Sequence, residues 1–141
     1  MNPAITLFTS RFQQFRPEQG VPVRITRGAP RFRLPYQLLH TVAELAPGAA
    51  YFNRPQPEFT AAYRADLAAL GAHRIAERLG AIAEQEREQR LVLLCFEDLA
   101  KPNEWCHRRI FAEWWLEATG DQVRELGPMA GPSPYEQGTL L

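Results

Sequence analysis

Five residues in two short clusters could do chemistry together. Cys95 and Glu97 close an apolar run, and Cys106-His107-Arg108 follows about ten residues later, with Arg109 next. A thiol beside an imidazole and two guanidinium groups is the residue set of a thiolate nucleophile. It is equally that of an anion cradle. Cys106 belongs in the first turn of a helix, where the helix dipole and neighbouring cations lower a thiol pKa. The same cysteine could instead be a small buried thiol packing helix on sheet, and the sequence leaves the two readings level. His107 is read either as a general acid/base or as a satisfied capping histidine. Glu97 is either a base or, the favoured reading, the ion-pair partner of an arginine. Cys95 is read as core. Cys95, Cys106 and His107 match no closed zinc spacing, so no metal is expected. No Walker or dinucleotide glycine loop occurs, nor a Gly-x-Ser-x-Gly elbow.

A second set of candidates is basic and polar. Residues 1–33 carry Arg11, Arg16, Arg24, Arg27, Arg31 and Arg33 against a single acid, Glu18, although the whole chain has formal charge zero. Arginine offers a fixed bidentate fork for phosphate or carboxylate. Thr9, Ser10, Arg24, Arg27, Arg108 and Arg109 are therefore the expected ligand or anion contacts. The expected partner is a phosphate-bearing small molecule or nucleotide, with no cofactor assignable. The competing reading is a non-catalytic module. Phe12, Phe15, Phe32 and Tyr36, interleaved with the arginines, would meet nucleic acid. A weaker version has a helix carrying Trp114 and Trp115 meet a protein.

These groups need elements to position them. The 141 residues, 45% of them hydrophobic, fit one core. No apolar run reaches the length of a membrane span. No basic-then-apolar leader opens the chain. The expectation is a cytoplasmic protein with two reduced thiols. Ile5–Phe8 and Val21–Thr26 predict strands, with Pro22 near the start of the second. Tyr36–Leu45 shows weak helical spacing. From Glu58 the pattern turns helical, with Phe59, Tyr63, Leu67 and Leu70 on one face and Gly71 as a stop. Ile75, Leu79 and Ile82 mark a second helix. Leu91–Phe96 reads as a strand buried on both faces. Glu104–Thr119 is a helix capped by Asn103, and Gln122–Leu126 a last strand. Alternating strands and helices predict an α/β domain over 1–126: a small Rossmann-like three-layer fold, mainly parallel sheet with helices on both faces. An irregular tail over 127–141 follows. Ligands in such sheets bind beyond the carboxyl ends of the strands, where the three clusters would converge.

The stretch Leu91-Val-Leu-Leu-Cys-Phe-Glu97, followed by Glu104-Trp-Cys-His-Arg-Arg109, resembles the domain of unknown function 488 (DUF488) family. Its hallmark is an apolar strand ending in Cys-x-Glu, then Cys-His-Arg opening a helix. Cys95, Glu97, Cys106, His107 and Arg108 match it position by position. Arg24-Ile-Thr-Arg-Gly-Ala-Pro30 and Leu34-Pro-Tyr36 are similar to a short single-domain branch. The first turn, Phe8-Thr-Ser-Arg11, and the strand Val23-Arg-Ile-Thr26 depart from the Gly-His-Ser and Asp-Val-Arg patterns of many members. Roles tied to those patterns do not carry over. The resemblance implies a Rossmann-like α/β fold with the Cys-His-Arg helix at its ligand edge, and no reaction.

Overall fold

A computed structural model describes residues 4–101 and 103–127. Apart from Gly127, the expected tail lies outside the described residues. Strand β1 spans Thr6–Arg11, β2 Val21–Arg24 and β3 His40–Thr41. Helices α1 (Gln56–Leu70) and α2 (Ala72–Glu86) follow, then β4 (Arg90–Cys95), α3 (His107–Thr119) and β5 (Arg124–Glu125). The strands form one sheet in the order β3-β2-β4-β1-β5, and every pair is parallel. The α/β class and parallel sheet are as the sequence predicts.

The centre of the sheet is β4. Leu91, Val92, Leu93, Leu94 and Cys95 are all buried, because β1 and β2 flank the strand and both of its faces are covered. β1 pairs with it along its full length, from Thr6 opposite Arg90 to Arg11 opposite Cys95. Thr9, Ser10 and Arg11 therefore belong to the strand and do not follow it, as the sequence reading had them. Their polar side chains hide a strand that backbone pairing with β4 completes. Pro22 sits where β3 has not begun, since β3 pairs only with Val23 and Arg24. The missing N–H faces a locally open edge.

Alternation along the strands sorts two cores. Leu7, Val21, Val23, Ile25, Leu91 and Leu93 join Tyr63, Leu67, Leu79, Ile82, Phe111 and Trp115 in the larger one. All three helices pack here. The opposite face carries Val92 and Leu94 beneath Phe12 and Phe15, with Phe8, Leu34, Tyr36 and Phe96 against them. The third layer is thus present but built of coil and a 3-10 turn at Pro17–Gln19, with no α-helix among the described residues. The β1–β2 crossover is too short to hold a helix, and its phenylalanines cover the sheet directly. Phe12 and Phe15 are core residues, not base-stacking platforms. Trp114 and Trp115 are also buried, which removes them as a protein-docking face.

The weak helical spacing over Tyr36–Leu45 resolves differently. It holds β3 and a 3-10 turn at Ala43–Leu45. Pro35 precedes the segment, the β-branched pair Thr41-Val42 interrupts it, and Pro47 ends it. Tyr63 of α1 anchors this turn, its buried hydroxyl donating to the Leu45 carbonyl at 2.6 Å. Gly71, at φ 87°, ends α1 and turns the chain into α2. Gly20, at φ 141°, meets β4 so closely that a Cβ would stand 2.5 Å from the Arg90 carbonyl oxygen. Only glycine fits there.

Candidate functional site

Parallel strands put their carboxyl ends on one edge of the sheet. There the end of β4, the first residue after β2 and the start of α3 converge. α3 begins at His107 with Cys106 as its N-cap. It does not begin at Glu104, and Asn103 is no cap; Asn103 instead takes φ 66° in the preceding loop. Cys106 is extended, at φ −148°, which aims its side chain back toward the end of β4. The sulfurs of Cys95 and Cys106 are joined in a disulfide, with the Cα atoms 7.3 Å apart. The sequence reading took both as reduced thiols and did not pair them. Strand end and helix cap, both on the helix side of the sheet, bring the two sulfurs together across the loop.

His107 is buried against both sulfurs. Its Nε2 lies 2.6 Å from the Ile25 carbonyl oxygen. A carbonyl only accepts, so Nε2 carries the proton and Nδ1 keeps its lone pair. Nδ1 faces Cys95 Sγ at 3.5 Å and Cys106 Sγ at 3.7 Å. The Tyr63 ring meets the imidazole edge-on, centroids 5.5 Å apart. Burial lowers the His107 pKa to about 4; the Ile25 hydrogen bond opposes that, and the Arg108 charge adds to it. At neutral pH the ring is uncharged. Glu97 Oε2 lies 3.0 Å from Cys95 Sγ. Its nearest polar contact is thus a sulfur, which donates to it once Cys95 is a thiol, where the sequence reading favoured an arginine. The loop after β4 is tied instead by Arg11 to Asp98 at 3.1 Å.

Outside this cluster opens a cavity of about 250 Å³. Glu97, Glu104, Cys106 and His107 line it with the rings of Phe52, Phe59 and Trp105. Trp105 packs edge-on to Phe59, 4.9 Å between centroids. Cys106 reaches this cavity and Cys95 lies behind it. Arg27 stands at the rim, its guanidinium 5.5 Å over the half-exposed Phe52 ring and hydrogen-bonded to the Pro47 carbonyl.

The other sequence candidates go elsewhere. Arg108 is fully buried and grips Glu125 with two parallel bonds, 3.0 and 2.9 Å. Thr9 donates to the same carboxylate at 2.7 Å. Arg109 donates to Thr9 Oγ1 and to the Val123 carbonyl. These three side chains fasten the two-residue strand β5 to β1 and α3. Ser10 and Arg24 sit on the sheet face away from the helices, flanking Leu94 in register. None of the six expected anion contacts lines the cavity; Arg27 touches Phe52 and Pro47, which do. Tyr63, Phe59 and Glu125 do work that the sequence reading missed. The two rings were indistinguishable from core on a helical stripe, and Glu125 carried no local signal.

Comparison with known families decides the relationship. The chain belongs to the DUF488-N3a family. The family model, described as the active DUF488-N3 subclade, matches residues 7–119, from β1 to the last residue of α3. The family resemblance carried by Cys95, Glu97, Cys106, His107 and Arg108 holds at that level. Nothing among curated proteins or solved structures matched the chain. This DUF488-N3a protein thus carries its Cys/His cluster inside the matched region, whereas β5 and Glu125 lie beyond it. Among the described residues no helix is long and apolar enough to cross a membrane.

Proposed function

We propose that the chain is a Cys/His-dependent enzyme acting on a nucleotide-type small molecule, with Cys106 as its nucleophile. The observation that carries this reading is the His107 lone pair aimed at the sulfurs on the floor of an aromatic cavity. Trp105, only partly buried and backed by Phe59, offers a face on which a flat ring stacks. Glu97 and Glu104 accept hydrogen bonds from ring amino groups and repel a phosphate. The phosphate then points outward, to Arg27. The description of the subclade as active is in keeping with catalysis.

The working form is the dithiol. The Cys106 S–H proton passes to His107 Nδ1 as sulfur bonds to an electrophilic carbon of the ligand. The leaving group departs with that proton, and water then cleaves the sulfur–carbon bond to restore the thiol. Because burial keeps the imidazole neutral, the resting pair is thiol and imidazole, and the proton moves only as the bond forms. Cys95 stands behind as the thiol that closes the disulfide under oxidation. A reducing compartment such as the cytoplasm suits this cycle.

The test screens reduced protein against nucleosides and mononucleotides by thermal shift and by product analysis. Mononucleotides should stabilise the wild type, and Arg27→Ala should bind them at least tenfold more weakly. Cys106→Ser should bind but convert nothing. Turnover that survives Cys106→Ser, or binding indifferent to Arg27, overturns the proposal.

A further inference from the structure

We infer that the reduced Cys95–Cys106 pair and His107 form a site for one soft divalent metal ion of the zinc class, open at its fourth position toward the cavity. One sulfur of each cysteine and the His107 ring nitrogen lie within 4.8 Å of one another, all buried. Two thiolates and an imidazole are the donors that zinc-class ions prefer, and three protein ligands with one open position is the pattern of a catalytic site. His107 is already set for ligation. A metal-bound histidine normally donates its other N–H to a carbonyl or carboxylate. Here Nε2 donates to the Ile25 carbonyl, and the free Nδ1 faces both sulfurs. The Cα separation of 7.3 Å is wider than disulfides usually span. Two sulfurs sharing one ion need that extra room.

Charge also balances. Each thiol gives up its proton to solvent on binding, and two thiolates neutralise a divalent cation, so no net charge is buried. Glu97, beside Cys95 Sγ and on the cavity wall, stands next to the open position. There it can accept a proton from a metal-bound water. The site goes beyond the thiol reading. In the loaded protein both cysteines would be ligands, and a bound water would supply the nucleophile that Cys106 supplies in the metal-free dithiol.

The experiment adds cobalt(II) to the fully reduced, metal-free chain. One equivalent should bind, with a thiolate-to-cobalt charge-transfer band and the intense visible bands of a tetrahedral ion. Cys95→Ser and Cys106→Ser should each abolish the charge-transfer band or weaken binding by more than about 100-fold. Zinc should shield both wild-type cysteines from iodoacetamide, a readout that needs no variant to fold. No charge-transfer band, or cobalt binding indifferent to both substitutions, overturns the site. The two readings fail separately. A reduced chain that alkylates rapidly at Cys106 but takes up no cobalt sinks the metal alone. One that binds cobalt but is inert at Cys106 when metal-free sinks the thiol nucleophile alone.

Discussion

Arg108 was a sequence candidate for binding an anion; in the fold it holds the last strand. The consequence is a stability asymmetry. Glu125→Ala leaves a fully buried guanidinium without the one carboxylate it meets among the described residues, and Thr9 without its acceptor. Stranding one member of a buried pair costs about 3–5 kcal/mol. For a domain of this size that lowers Tm by about 10–15 °C. Arg108→Met keeps the side-chain volume and strands only Glu125, whose side chain is 27% exposed and can recruit water. We expect about 1–3 kcal/mol there. The double variant Arg108→Met/Glu125→Ala strands neither charge and should recover most of the loss, a positive coupling read by a double-mutant cycle. The assay is urea unfolding followed by tryptophan fluorescence, since Trp114 and Trp115 lie on the same helix as Arg108. A Glu125→Ala variant as stable as wild type would refute the structural role. So would Arg108→Met costing more than Glu125→Ala.

Three further outcomes follow from the geometry. His107 titrates near pH 4 when folded against an ordinary 6.5, so the unfolded chain takes up its proton first as pH falls. Its contribution is complete above about pH 6.5, and about 3 kcal/mol is lost on going down to about pH 4; His107→Gln should flatten that part of the stability profile. Tyr63→Phe strands the Leu45 carbonyl and should cost about 1–2 kcal/mol in urea unfolding, with the fold retained by circular dichroism. Gly20→Ala places a Cβ against the Arg90 carbonyl at a φ that L-residues avoid, and should cost about 1–3 kcal/mol by thermal unfolding.

The sequence exposed some of this architecture and hid the rest for identifiable reasons. Leu91–Phe96 was recognisable because a strand buried on both faces needs unbroken apolar residues. α1 and α2 were recognisable because each buries one stripe. The Cys106-His107 pair and its meeting with β4 followed from parallel topology, which sends strand ends and helix starts to one edge. Which face a connection crosses was not legible. Phe12 and Phe15 look the same whether they stack on bases or close a core, and only the β1–β2 crossover decides it. The fate of Arg108 depended on Glu125, seventeen residues away in the chain, through a carboxylate with no pattern of its own, and that of Arg109 on Thr9 and the Val123 carbonyl. The sequence reading put Thr9 just past the first strand, among the anion contacts. Its strand pairing and its bond to Glu125, however, turn it inward to hold β5.

The central claim is that Cys106 is a reactive thiol served by His107. The most direct measurement is the rate of iodoacetamide alkylation at Cys106 in freshly reduced, metal-free protein at neutral pH, resolved by mass spectrometry with Cys95 as internal reference. The account predicts that Cys106 reacts faster than Cys95, that His107→Gln slows it at least tenfold, and that the unreduced protein labels at neither cysteine. Equal, slow labelling of both thiols in the reduced native protein, unchanged by His107→Gln, would contradict it.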